Sequence, residues 1–127
     1  MHLLLIEPNP ILAQTYNNAF THAGFTVSHA TGAQRAIDAA DKHQPDLVVL
    51  ELQLSAHSGI EFLHEFRSYP EWQHIPVIIH TMIPPSSMQE AITEAIRSEL
   101  GVRAILYKPR TNLQHLLHAI REEAAII

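Results

Sequence analysis

The chain has no cysteine, so disulfide scaffolds, thiol catalysis and cysteine metal sites are all excluded. That lack fits a reducing compartment. Lysine occurs only at Lys42 and Lys108, and the net charge is −5. A broad basic face for nucleic acid is therefore missing. Aspartate occurs only at Asp38, Asp41 and Asp46, and there are four glycines. No apolar run approaches the roughly 20 residues that cross a bilayer. The start, Met1 to Ile6, lacks a basic lead and a small-residue cleavage site and runs into Glu7-Pro8, so it reads as a strand rather than a leader. A cytoplasmic location with no membrane contact is the expectation. At 127 residues the chain has room for one domain, spanning 1–127.

Five short apolar runs alternate with five helical patterns. The runs are Leu3–Ile6, Phe25–Ser28, Leu47–Leu50, Val77–His80 and Ala104–Tyr107. The third and fourth are almost unbroken Val, Leu and Ile, as central parallel strands covered on both faces require. Asn9 with Pro10 opens the first helix and Gly24 closes it. Its inward face is Leu12, Tyr16, Ala19, Phe20 and Ala23. Thr31 is the expected cap of the second helix, with Ala33, Ala36, Ile37 and Ala40 inward. Ser58 with Glu61 forms a capping box for the third, which buries Ile60, Leu63 and Phe66. Ser87 with Glu90 forms another for the fourth, which buries Met88, Ala91, Ile92, Ala95 and Ile96 and stops at Gly101. Thr111 starts the last, with Leu113, Leu116, Leu117, Ile120 and Ala124 inward.

A regular β-α alternation implies right-handed crossovers and a doubly wound parallel sheet between helix layers. For five strands the common order is 2-1-3-4-5, with a crevice at the carboxyl ends of strands 1 and 3. Glu7 follows strand 1, Glu51 follows strand 3, Thr81 ends strand 4 and Lys108 follows strand 5. Two carboxylates, a hydroxyl and an ammonium at one edge of a sheet make a candidate site.

The segments Leu3–Pro10 (LLLIEPNP), Pro45–Leu54 (PDLVVLELQL) with Ser58-Gly59-Ile60, Ile75–Thr81 (IPVIIHT) and Gly101–Pro109 (GVRAILYKP) resemble the receiver domain of two-component response regulators. The resemblance covers essentially the whole chain. It implies the flavodoxin-like, CheY-like α/β fold already drawn from the alternation. It also implies an acidic pair that holds magnesium, an acceptor Asp, a phosphate-contacting Thr or Ser, and a Lys followed by Pro. Glu7 and Pro8 stand at the acidic pair, Glu51 at the acceptor, Thr81 at the hydroxyl and Lys108 at the lysine; Gln53 would turn its backbone carbonyl to the metal. The aromatic switch position is Ile105, with Tyr107 two residues on and on the same sheet face.

The departures from that pattern carry the functional expectation. Glu51 is one methylene longer than Asp, and in-line phosphoryl transfer tolerates about an ångström of misplacement. Pro8 offers no side-chain oxygen, and magnesium demands near-octahedral oxygen coordination. Asp38 and Asp41 belong to the second helix and Asp46 to the opposite sheet edge, so none replaces the acceptor. The expectation is a degenerate receiver that works by protein–protein interaction, with no cofactor and weakened Mg²⁺ binding at Glu7, Glu51 and Gln53. Partners would be a kinase, an output domain or a second receiver, with a homodimer formed through helix 4, strand 5 and helix 5. Glu51 would mimic a phosphorylated Asp or form a plain ion pair with Lys108; the crowding of Glu7 and Glu51 would raise the pKa of one of them.

The rival readings are a conventional receiver phosphorylated on Glu51 or a serine, and a flavodoxin-like enzyme or flavin carrier. The second lacks a glycine-rich loop after strand 1. Ten histidines include His115 and His118 on one helix face, read as solvated surface, His57 as loop spacer and His80 facing a helix layer. The stretch from Thr81 to Gly101 is about five residues longer than the receiver pattern requires, which would lengthen helix 4. The apolar end Ala124 to Ile127 lies beside the same face or leads onward, with fraying as the simpler account.

Overall fold

The computed structural model describes residues 1–126, with the side chains of residues 90–92 left aside. Five parallel strands run in the order β2-β1-β3-β4-β5. They are β1 (His2–Ile6), β2 (Thr26–Ala30), β3 (Leu47–Leu50), β4 (Val77–Thr81) and β5 (Val102–Tyr107). The helices between and after them are α1 (Pro10–His22), α2 (Ala33–Lys42), α3 (Gly59–Ser68), α4 (Glu90–Glu99) and α5 (Leu113–Ile126). Among the described residues no helix is long and apolar enough to cross a membrane.

The alternation of side chains along each strand divides the core in two. Leu4, Ile6, Val48, Leu50, Val77 and Ile79 pack with Ala36, Ile37, Phe62, Leu63, Phe66 and Ile96 from α2, α3 and α4. Leu3, Leu5, Leu47, Val49 and Ile78 pack with Tyr16, Phe20, Leu116 and Ile120 from α1 and α5. All residues of β1, β3 and β4 are buried, whereas β2 is an edge strand with Thr26 and His29 exposed. Phe25 lies just outside β2 and still packs on the α1–α5 layer.

The helix boundaries differ from expectation where neighbouring residues compete for the cap. Asn9 caps α1 as expected, its Oδ1 accepting from the amides of Ile11 and Leu12 at 3.0 and 3.1 Å. Gly24 then turns the chain at φ 99°, a region open to glycine. At α2 the cap is Gly32 rather than Thr31, and no side chain caps it. Ser58 caps α3 by accepting from Glu61 N at 3.2 Å, but Glu61 turns its carboxylate to His57 instead of closing the box. Ser87 is not the cap of the fourth helix as expected: α4 begins after Gln89, and Ser87 belongs to a 3₁₀ turn, Pro85–Ser87. The extra residues after β4 build that turn, and α4 has only ten residues. The Ile83-Pro84-Pro85 run disfavours helical backbone at its start. Met88 therefore precedes α4 and packs on the α2–α4 layer, while the expected burial of Ala91 and Ile92 and the side chain of Glu90 fall among the residues left aside. At α5 Asn112 supplies the capping oxygen, to His115 N at 2.8 Å. Thr111 instead donates its hydroxyl to Tyr107 O. Ile127 lies outside the described residues.

Gly59 fixes the turn that carries the acid after β3. A Cβ there would stand 2.8 Å from Leu52 Cα and 2.9 Å from Glu51 O. Gly59→Ala is expected to lower stability by about 1–3 kcal/mol in urea titration, because a rigid backbone must move to admit the methyl. A loss below about 0.5 kcal/mol would show that the turn yields freely.

Candidate functional site

The carboxyl ends of the strands bring four polar side chains into one buried cluster. The backbone sets their height: Glu7 N donates to Ala30 O and Glu51 N to Ile6 O, so both acids leave the sheet one residue beyond a paired strand. Glu7, Glu51 and Thr81 are each at most 3% exposed. Lys108 reaches in from the end of β5 and is 7% exposed at its side chain. Its Nζ donates to Glu7 Oε1 at 2.6 Å and to Glu51 Oε1 at 2.8 Å.

The Glu51 carboxylate is surrounded by donors. Oε1 accepts from Lys108 Nζ and from Met82 N at 3.0 Å. Oε2 accepts from the Thr81 hydroxyl and from Gln53 N at 3.1 Å. An ionised carboxylate offers about four lone-pair positions, and here four donors meet it. Thr81 is itself aimed by Ile83 N, which donates to its Oγ1 at 3.1 Å. Glu7 uses Oε1 for Lys108 and Oε2 for Asn9 N at 3.1 Å. His29 Nε2 donates to Glu7 O at 2.9 Å, tying the edge strand to the same corner.

Burial alone would raise the Glu51 pKa, but hydrogen bonds from Lys108, Thr81, Gln53 and Met82 outweigh it and hold the group below the ordinary glutamate value. The expectation that crowding would raise an acid of this pair is corrected for Glu51. Lys108 shows the reciprocal effect: burial favours the neutral amine, yet its bonds to Glu51 and Glu7 raise its pKa. Both partners of the ion pair are thus held charged at neutral pH.

The remaining candidates occupy the surroundings. Pro8 is half-buried and lines a separate cleft with Gly32, Arg35, Ser55 and His57. Gln53 is exposed, contributing its amide to Glu51. Tyr107 is the β-partner of Thr81, and Ile105 of Ile79. Ile105 and Tyr107 both border a cavity of about 170 Å³ between β5 and α4, with Thr81, Met88, Thr93 and Arg97. Arg110 lies over the Tyr107 ring at 5.8 Å.

His80 faces the α1–α5 layer, edge-on to Tyr16 at 5.2 Å between ring centroids. It is 3% exposed, and neither ring nitrogen has a hydrogen-bond partner among the described residues. Burial, helped by the nearby Lys108 charge, pushes its pKa down to about 4. The sequence places His80 on a strand but carries no signal that its nitrogens would be unpaired. His115 and His118 are exposed, and His118 pairs with Glu122 at 2.8 Å. No group of three potential metal-binding side chains occurs among the described residues.

This fold occurs in many receiver structures. A CheY-like receiver domain from Methanospirillum hungatei superimposes with a TM-score of 0.84 at 17% identity, covering 98% of this chain and 93% of the other. A two-component response regulator from Clostridium difficile gives 0.84 at 22% identity, with 98% and 96% coverage. Chemotaxis protein CheY4 of Vibrio cholerae gives 0.81 at 20%, with 95% and 96% coverage. In sequence, the polar-differentiation response regulator DivK of Brucella anthropi is 26% identical over 107 residues, 84% of this chain and 83% of that protein. The class is thus a CheY-like α/β protein. The profile described as the response regulator receiver domain matches residues 3–121, and the chain belongs to that family, the receiver domains of two-component signalling.

Proposed function

We propose that this receiver signals without accepting a phosphoryl group, and that Glu51 supplies a permanent negative charge in its place. The observation that carries the reading is the saturation of Glu51 by Lys108, Thr81, Met82 N and Gln53 N. A nucleophilic oxygen needs a lone pair free to face phosphorus in line. Both oxygens of Glu51 already accept two hydrogen bonds. The same donors hold the fourth-strand end and the start of the loop to α4 against the acid, as a charged group at this position requires.

The donor set does not fit a magnesium ion. Pro8 contributes no oxygen, both Glu7 oxygens are engaged, and the Lys108 ammonium stands between Glu7 and Glu51. A hard dication needs several free oxygens at near-octahedral angles. The buried charge of the two acids is met instead by a lysine.

The output of such a domain is binding, in the cytoplasm, to a kinase, an output domain or a second receiver. The α4–β5–α5 face is the proposed contact, including a homodimer, because Thr81 and Tyr107 connect the Glu51 network to the α4 side of the sheet.

Incubation with acetyl phosphate and Mg²⁺, followed by intact-mass measurement, is expected to leave the protein unmodified. A stable phosphoryl adduct would overturn the reading. Glu51→Gln separates a charge mimic from a plain strut: loss of the charge should shift backbone amide resonances from Met82 through α4. A spectrum unchanged over that segment, with partner binding unaltered, would leave Glu51 a structural ion-pair partner only.

A further inference from the structure

A second polar site lies at the opposite end of the sheet, at the amino ends of β4 and β5. Three of the six arginines, Arg67, Arg97 and Arg103, border one cleft of about 340 Å³ together with Gln73, His74 and Gly101. No carboxylate lines that cleft among the described residues. In a chain of net charge −5, such a gathering of one sign is uneven.

Each arginine is placed by a different element. Arg67 of α3 is half-buried and spends Nε on Leu100 O at 2.8 Å and Nη1 on Trp72 O and Gln73 O at 2.8 and 3.2 Å. Its Nη2 makes only a long bond, 3.3 Å, to Gly101 O. Among the described residues its charge therefore meets carbonyl dipoles and no acid. Burial, and the charge of Arg103, lower its pKa from the ordinary arginine value. Arg103 sits where the β4–β5 register slips: Val77 pairs with Val102 and Ile78 with Ala104, so Arg103 has no partner across the strand. Such a bulge re-aims the side chain it carries. Arg103 pairs with Glu123, Nε to Oε2, at 3.7 Å and is half-exposed. Arg97 of α4 is exposed, with no ion pair seen among the described residues.

We infer that this cleft binds a phosphate-type oxyanion carried by a small molecule, with Arg97 and Arg103 as its ligands and Arg67 as the anchored third charge. Guanidinium groups match the geometry of phosphate oxygens in two-point contacts. The cleft volume falls at the small end of ligand pockets, and an isolated cluster of three charges is too short for a nucleic-acid track. A bound dianion would join α3, α4 and β5 at one point and relieve the repulsion between Arg67 and Arg103. Arg97 also borders the cavity beneath Tyr107, so occupancy would bear on the α4–β5 face. None of this depends on the Glu51 reading.

The test is titration of the isotope-labelled full chain with inorganic phosphate and, separately, with a nucleoside diphosphate, at constant ionic strength. The expected result is saturable amide shifts at Gln73, His74, Gly101 and Arg103 with a Kd in about the millimolar range or tighter. The R97A/R103A double variant changes two exposed side chains, and its amide spectrum reports that it folds. It should bind at least about tenfold more weakly. A response to inorganic phosphate assigns the site to the free anion, and a response to the nucleotide alone assigns it to a phosphate ester. No saturable shift up to about 10 mM would overturn the inference. So would shifts centred on Gln53 and Met82, or undiminished binding by the double variant.

Discussion

Lys108→Met is expected to lower the unfolding free energy by about 3–5 kcal/mol, the cost of leaving a buried charge without its partner. The magnitude follows from geometry. Lys108 Nζ lies 2.6 and 2.8 Å from two carboxylates that are almost wholly shielded from water. Without it Glu7 and Glu51 would face each other in a buried corner with no cation between them. The methionine keeps most of the lysine stem, so lost packing contributes little. A triple variant, Glu7→Gln, Glu51→Gln and Lys108→Met, should recover a large part of the loss, because it removes the unpaired charges as well. Urea titration at neutral pH gives both numbers. If Lys108→Met costs less than about 1 kcal/mol, the cluster is wetter and looser than described.

The second large effect is the response to acid. The His80 pKa is lowered to about 4 in the folded chain, against an ordinary histidine value of 6.5. Below that ordinary value the unfolded chain takes up a proton that the folded chain refuses. Stability therefore falls as the pH drops from about 6.5 towards 4, by roughly 3 kcal/mol in all. Glu51 acts lower down: its stabilisation is complete above the ordinary glutamate value and is lost as the pH falls through its depressed folded pKa. The groups facing His80 are Tyr16 on α1, Lys108 beyond β5 and Glu51 beyond β3. Burial pushes the Tyr16 phenol up, and Lys108 is raised, so neither titrates in this window. His80→Phe keeps a ring against Tyr16 and removes the unpaired nitrogens. It should flatten the pH profile relative to the parent between about 6.5 and 4, and gain up to about 1 kcal/mol at pH 7. An unchanged profile in the variant would mean that His80 is hydrated and titrates normally.

The strand order and both helix layers are legible in the sequence because each strand is a separate apolar run and each crossover carries one α-helix. Leu47–Leu50 and Val77–His80 identify themselves as central by having no polar alternation. That placement also puts Glu7, Glu51, Thr81 and Lys108 at one edge of the sheet. What escaped is what depends on competition or on distant neighbours. Thr31 and Gly32 are adjacent claimants to one cap, and residue type alone does not choose between them. Ser87 has the right spacing to Glu90, yet the preceding Pro84-Pro85 commits it to a tight turn. Asn112 displaces Thr111 because the threonine hydroxyl is drawn back to Tyr107 O. The donors to Glu51 from Met82 and Gln53 are backbone amides, which no residue type announces. Arg67, Arg97 and Arg103 come together only through folding, and the slip in register at Arg103 leaves no mark in the hydrophobic pattern.

The methylene that separates Glu51 from an aspartate has a consequence in time. An acyl phosphate is a borrowed charge: it arrives from a donor, decays by hydrolysis, and its lifetime sets the memory of the signal. A carboxylate encoded in the chain is present when the polypeptide leaves the ribosome and ends only with proteolysis. On the proposed reading, the strength of the message is then the number of copies in the cell, and its clock is the rate of their synthesis and turnover.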